Sequence, residues 1–262
     1  MTSTDAAFAG SIPAIYDRDL GPWLFEGYAR EVARRAKALA PRRVLETAAG
    51  TGIVTQALAE ALPQAEIVAT DLNEAMLKVL QARVATVAAQ AADAQDLPFE
   101  DASFDLVICQ FGVMFFPDRV KGNGEARRVL RDGGRYIAAI WDSLDTAEPA
   151  VRIARTASDA FPDDPPSFLS RVPWGYSDKA RIESDMRAAG FESVKIETVQ
   201  VSGTLDAKAA ANGLCQGSPL RSEIEARDAS RLQEITDAAT RALADLDGKP
   251  TTLSAHIVTA TR

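Results

Sequence analysis

Between residues 43 and 141 of this 262-residue chain, short apolar runs alternate with helical stretches, and that alternation restricts the possible folds more than any other feature. Arg43-Val44-Leu45 starts a strand that breaks at Gly50-Thr51-Gly52, and Ile53 to Leu62 reads as a helix stopped by Pro63. Ile67-Val68-Ala69-Thr70 forms a second strand ending at Asp71, after which Asn73 can cap a helix beginning Glu74-Ala75-Met76-Leu77. Val87 to Ala92 makes a weaker third strand, Phe104 to Phe111 a strong fourth and Arg135 to Trp141 a fifth. Strands alternating with helices predict a mostly parallel, doubly wound α/β sheet with helices on both faces. The helix before the fifth strand is expected to be short, Glu125 to Leu130, and closed by Gly133-Gly134. Gly122 and Gly124 ahead of it would each cost about 1 kcal/mol in a helix interior.

The flanks divide the chain further. Residues 1–41 read as an N-terminal helical arm or lid, aromatic at its centre (Tyr16, Trp23, Phe25) and helical from Glu26 to Ala40. Residues 42–142 hold the core. Residues 143–177, with Phe161-Pro162-Asp163-Asp164-Pro165-Pro166 and the aromatics Phe168, Trp174 and Tyr176, read as an insertion over the substrate side. Residues 178–262 return to the core, with a helix from Ser177 to Gly190 and strands at Val194–Val201 and Ser254–Thr261. A helical insertion at about 206–248 is interrupted near Gly217-Ser218-Pro219.

Several function classes fall away. The formal net charge of −8 repels phosphate backbones, so no nucleic-acid partner is expected. The cluster Arg127, Arg128, Arg131 and Arg135 reads as a solvated helix face. Cys109 and Cys215 lack metal-ligand spacing, Asp163-Asp164 has no companion ligands, and no metal is expected. The start Met1-Thr2-Ser3-Thr4-Asp5 lacks signal-peptide character and no uncharged apolar run reaches membrane-spanning length, which makes the cytoplasm the expected compartment.

The densest chemistry lies between Glu46 and Gln110. A glycine turn joining the first strand to the first helix lets backbone approach a ligand, and the helix N-terminus favours a negative group. Thr55 stands where the dinucleotide fingerprint has a third Gly or Ala. Asp71 ends the second strand, where a carboxylate either accepts from both ribose hydroxyls of an adenosine or merely caps the next helix. Asp93-Ala94 after the third strand offers a carboxylate beside a backbone N–H, a pair suited to an adenine edge or to a polar turn.

Four ordered segments then coincide with a family pattern. They are Val44 to Gly52, Val68 to Leu77, Ala92 to Val107 through Asp96-Leu97-Pro98-Phe99, and Arg128-Val129-Leu130-Arg131-Asp132-Gly133-Gly134. Over about residues 40–142 the chain resembles the class I S-adenosylmethionine (SAM)-dependent methyltransferases, nearest the ubiquinone/menaquinone-biosynthesis type and its small-molecule relatives. The resemblance implies a seven-stranded Rossmann-like sheet with an antiparallel last strand, SAM as cofactor and S-adenosylhomocysteine (SAH) as its product. It also implies site roles. Glu46 would order the methionine amino end, with Ala48, Gly50 and Gly52 shaping the loop beneath it. Asp71 would hold the ribose, with Leu72 and Met76 near the adenine. Asp93 and Ala94 would read the adenine edge, and Gln110 would flank the methionine portion. Ala48 stands where many members have the first glycine, so a slightly different loop is expected.

Methyl transfer from a sulfonium is an in-line displacement that depends on alignment and desolvation, which suits a chain without a nucleophile-and-base constellation. The only histidine, His256, reads as structural. The acceptor is expected beyond the carboxyl ends of the strands, against Phe111, Met114, Phe115, Trp141, Phe168, Trp174 and Tyr176. Tyr16 and Trp23 of the arm would cover the cofactor. Such walls suit a small, apolar or aromatic acceptor, handled by a monomer or homodimer. The alternatives are an NAD-dependent oxidoreductase, disfavoured by Thr55 and by the absence of a Tyr-x-x-x-Lys dyad, and a non-catalytic SAM-binding regulatory module.

Overall fold

The structure, a computed structural model, describes residues 12–262. The first eleven residues of the expected arm, with the Met1–Asp5 start, lie outside the described residues.

Seven strands form one sheet: β1 (Arg43–Glu46), β2 (Glu66–Asp71), β3 (Ala88–Ala91), β4 (Phe104–Gln110), β5 (Leu130–Trp141), β6 (Ser193–Thr204) and β7 (Pro250–Thr261). Their order is β3-β2-β1-β4-β5-β7-β6. The first five strands pair in parallel, while β7 runs antiparallel to both β5 and β6. Val44, Leu45 and Leu106 to Cys109 are fully buried, because helices cover both faces of β1 and β4. Such strands read as continuous apolar runs rather than alternating ones. Edge strand β3, Ala-Ala-Gln-Ala, is largely exposed, and this explains its weak sequence signal.

The chain enters through α1 (Ile12–Ile15), passes through a ten-residue π-helix (Tyr16–Phe25) and continues as α2 (Glu26–Leu39). Within the core lie α3 (Ile53–Ala61), α4 (Glu74–Arg83), α5 (Arg119–Val129) and α8 (Lys179–Ala188). The remaining helices are α6 (Glu148–Ala160), α7 (Phe168–Arg171), α9 (Ala207–Gln216), α10 (Leu220–Asp228) and α11 (Leu232–Ala242). Although far apart in sequence, α6, α9 and α11 pack on one another, and α9 also packs on the π-helix. No helix among the described residues is long and apolar enough to cross a membrane.

Local chemistry sets the boundaries. Ala40 ends α2 in the left-handed region at φ 48°, and the Asn73 side chain accepts from the Ala75 N–H at 2.8 Å to start α4.

Two expectations near β5 are corrected. α5 is longer than the expected Glu125–Leu130 and contains both glycines, because Asp118 caps it by accepting from the Lys121 N–H at 2.9 Å. Gly122 is there for packing: a Cβ would stand 2.6 Å from the Phe116 ring, so close approach offsets the propensity cost. Gly133-Gly134 does not close that helix. Leu130 already pairs with Phe104, and Gly133, at φ 75°, sits where the β4–β5 register shifts between Phe104 and Leu106.

His256 belongs to the framework. Its Nε2 faces the Ser177 carbonyl at 3.0 Å and Asp142 Oδ1 at 3.3 Å, both acceptors, so it carries the proton, and Nδ1 accepts from the Thr198 hydroxyl at 3.1 Å. Burial holds this imidazole below the ordinary histidine range against the opposing pull of Asp142. As the pH falls below about 6.5, the unfolded chain takes up a proton that the folded chain resists, and stability is lost. The stability gap between wild type and His256→Gln is therefore expected to narrow from pH 7 to pH 5 in urea titrations. A constant gap would contradict the assignment.

Candidate active site

The strand order reverses at β1, which has β2 on one side and β4 on the other. Open α/β sheets bind ligands in the crevice beyond the carboxyl ends of the strands at such a point. Here a cavity of about 690 Å³ occupies that place, a volume ordinary for a small-molecule site.

Its floor is the β1–α3 loop. Ala48, Gly50 and Gly52 take φ of 52°, 55° and 84°, and the Ala49 N–H donates to the Thr70 carbonyl at 2.9 Å, tying the loop to β2. A Cβ on Gly50 would meet nothing within 4 Å, so at this cavity-lining residue the backbone lies open to a ligand. Gly52 does not line the cavity; a Cβ there would stand 2.7 Å from Leu80 Cγ on α4. Its role is helix packing. Ala48 holds a methyl group in a conformation that costs an L-residue roughly 1–2 kcal/mol. Against the extra backbone entropy of glycine in the unfolded chain, Ala48→Gly is expected to stabilise the fold by roughly 0.5–1 kcal/mol. Thermal melting checks this; a lowered midpoint would show that the methyl's contact with Gly112 outweighs the strain.

Glu46 lies beneath the loop rather than on the cavity wall. It is 1% exposed and accepts from the Thr55 hydroxyl at 2.7 Å, and burial pushes its carboxyl up to about 8. Thr55, noticed in the sequence only as a missing glycine, is the partner of this acid. A hydroxyl one turn into the apolar face of α3 was the available signal.

Asp71 binds two backbone groups. Its Oδ2 accepts from the Gly50 N–H and its Oδ1 from the Asn73 N–H, each at 2.8 Å. Burial raises its pKa, with these bonds opposing. Leu72 stands 67% exposed on the rim and Met76 is buried in the wall. Asp93 Oδ1 accepts from the Gln95 N–H at 2.8 Å, holding the Asp93–Ala94 turn against the cavity. At the end of β4, Gln110 Nε2 donates to the Phe25 carbonyl at 3.3 Å, while its Oε1 is buried without a partner. Phe111 follows at φ 56°, strained for a bulky residue. Tyr16 closes the wall, stacked on Phe25 at 4.9 Å. Burial, with Asp71 nearby, keeps its phenol well above the ordinary range. Of the sequence-derived cofactor residues, all but Glu46 and Gly52 line the cavity. Asn73, Glu74, Ala92, Gln95, Gly112, Phe116 and Pro117 line it too.

A second, narrow pocket of about 40 Å³ shares Tyr16, Phe111 and Phe115 with the first. Phe111 stacks on Trp141 at 3.7 Å, and Trp141 on Trp174 at 5.7 Å. Phe168 completes the expected residues found there. Three others lie elsewhere. Trp23 Nε1 donates to the Thr251 hydroxyl at 3.3 Å, Met114 is fully buried in the core, and the Tyr176 hydroxyl donates to Asp185 at 2.8 Å under Arg119.

Residues 45–138 match the methyltransferase-domain family model. The chain is 40% identical over 134 residues to a demethylmenaquinone methyltransferase of Deinococcus radiodurans, an alignment covering 48% of this chain and 56% of that protein. It is 35% identical to the Clavibacter sepedonicus enzyme of the same name, covering 62% of this chain and 70% of that one. A ubiquinone/menaquinone biosynthesis C-methyltransferase of Burkholderia mallei is 32% identical, covering 58% and 68%. The chain thus spans little more than half of the Deinococcus protein and about two thirds of the other two. The fold matches the YcgJ protein of Bacillus subtilis with a TM-score of 0.59 at 20% identity, covering 90% of this chain and 98% of that one. It also matches a Haemonchus contortus N-methyltransferase solved with SAH, with a TM-score of 0.55 at 19% identity, covering 97% and 61%. The chain belongs to the class I SAM-dependent methyltransferases. The sequence relatives named above are two demethylmenaquinone methyltransferases and a ubiquinone/menaquinone biosynthesis C-methyltransferase.

Proposed function

We propose that this chain methylates a small, apolar or aromatic molecule, with SAM in the large cavity and the acceptor reaching it past Tyr16, Phe111 and Phe115. The observation that carries this reading is the junction of the two pockets. A cavity that carries Asp71, Asp93, an unpartnered Gln110 oxygen and an open glycine backbone meets an aromatic-walled slot there.

The residues present suit the cofactor. Asp71 would take the ribose, Asp93 and Ala94 the adenine edge with Leu72 and Met76 against the ring, and Gln110 the methionine end. Glu46 would act from beneath Ala48 and Gly50. SAM supplies an electrophilic methyl group on a sulfonium. The protein supplies alignment and dryness: Phe111, Trp141 and Phe168 exclude water from the acceptor side. Tyr16 keeps its proton at neutral pH, so it serves as a donor or a wall rather than a base. No carboxylate, histidine or amine lines the narrow pocket, which favours acceptors that are nucleophilic without a base supplied there. Arg128 is engaged by Glu125 and Asp101, and Arg131 by Asp105, which supports a small molecule over a polyanion. We place this activity in the cytoplasm, in a monomer or homodimer.

The test is isothermal titration with SAH, with NAD as control, followed by a methyl-transfer panel of aromatic acceptors. Micromolar SAH binding and silence for NAD are expected. Folded protein silent for SAH would refute the cofactor assignment, and SAH binding without transfer to any acceptor would favour a regulatory module.

A further inference from the structure

One wall of the narrow, largely apolar pocket is Trp174, whose indole carries an unmet hydrogen-bond donor. Trp174, 4% exposed and stacked on Trp141, has its Nε1–H buried with no partner among the described residues. A buried donor left unmade costs about 1–3 kcal/mol, and native interiors contain few. Trp23, whose indole is also buried, has its Nε1–H met by Thr251. Two residues of the lining carry hydroxyls: Ser218 Oγ is committed, donating to the Leu214 carbonyl at 2.6 Å and accepting from the Leu220 N–H at 3.2 Å, and Tyr16, stacked on Phe25, stands where the pocket meets the larger cavity. The lining holds no lysine or arginine to neutralise an anion. At about 40 Å³ the space suits a small substituent rather than a ring.

We propose that Trp174 sets acceptor specificity by donating its Nε1–H to an uncharged oxygen, of carbonyl, ether or hydroxyl type, on a substituent that the methyl acceptor inserts into this pocket. The inference rests on the acceptor side assigned under the proposed function. Phe111 and Trp141 contribute stacking, which is indifferent to that oxygen, and Tyr16 stands at the junction shared with the cofactor cavity, so inside the pocket discrimination is assigned to the indole N–H. A site that hydrogen-bonds a ligand group rejects the analogue lacking it, because its own buried polar group is left unpaired.

The test uses an isosteric pair of probes, 4-methoxyphenol and 4-ethylphenol, titrated calorimetrically into the SAH-loaded full chain. Wild type is expected to bind the ether about tenfold more tightly, a difference of about 1.4 kcal/mol. Trp174→Phe, which keeps an aromatic ring and removes the donor, is expected to bind both probes alike, at the wild-type affinity for the ethyl compound. Equal wild-type affinities, no binding of either probe, or an equal loss for both in the variant would each overturn the proposal. The wild-type ratio decides by itself should the variant fold poorly. Failure to load SAH would count against the cofactor assignment, whereas normal loading without an ether preference would count against Trp174 alone.

Discussion

Replacing Asp71 with alanine is expected to weaken SAH binding by about a hundredfold while leaving the protein folded. Two effects add. The carboxylate is the group proposed to hold the ribose, and its Oδ2 also fixes the glycine turn through the Gly50 N–H at 2.8 Å. Hydrogen bonds to charged groups contribute about 1.5–3 kcal/mol each, so losing one ligand bond and loosening the loop together reach about 3 kcal/mol, or a hundredfold. The fold survives because the same change removes a carboxyl whose charged form is disfavoured by burial. Asp71→Asn keeps an oxygen for one of the two backbone donors and is expected to fall between. Calorimetric titration of the folded variants checks this; an unchanged affinity in Asp71→Ala would remove Asp71 from the site.

Glu46→Gln is expected to do two opposite things: stabilise the ligand-free protein and weaken SAH. The carboxyl is 1% exposed and pushed up to about 8, against an ordinary value of 4.5. Between those values the folded state holds a proton that the unfolded state has released. Stability is therefore full below pH 4.5 and declines as the pH rises towards 8. At pH 7 the cost reaches about 3 kcal/mol at 1.36 kcal/mol per unit. Glutamine has no such slope and keeps an oxygen for the Thr55 hydroxyl. Urea unfolding at pH 5, 7 and 9 should show the two proteins alike at pH 5 and the variant gaining at 7 and 9. A parallel dependence would exclude Glu46 as the titrating group. Weaker SAH binding by the same stabilised variant would show a functional acid kept at a cost in stability.

The core was legible because it is local. Apart from edge strand β3, the parallel strands between Val44 and Ile140 are buried on both faces along most of their length, so they appear as apolar runs, and Asn73 announces its helix by capping it. The glycine turn, Asp71, Asp93-Ala94 and Gln110 lie at or directly after those strand ends, so the alternation alone places them on one edge of the sheet. The errors were also local in origin. Gly122 looked like a helix breaker because its partner, the Phe116 ring, is a tertiary neighbour. Gly133-Gly134 looked like a helix end because a register shift in a sheet leaves no periodic trace.

Chain order therefore determined the alternating sheet, its switch point and the acids at its carboxyl edge, since these depend on period, spacing and caps within a few residues. Tertiary structure alone decided which aromatics share a pocket. Trp23, Met114 and Tyr176 are as apolar or aromatic as Trp141, Phe168 and Trp174, yet the first three pack elsewhere. Tertiary structure alone also left Trp174 Nε1 and Gln110 Oε1 buried and unmet. Burial and partnership are properties of distant segments brought together, as α9 is brought onto the π-helix and α11, and no window along the chain contains them.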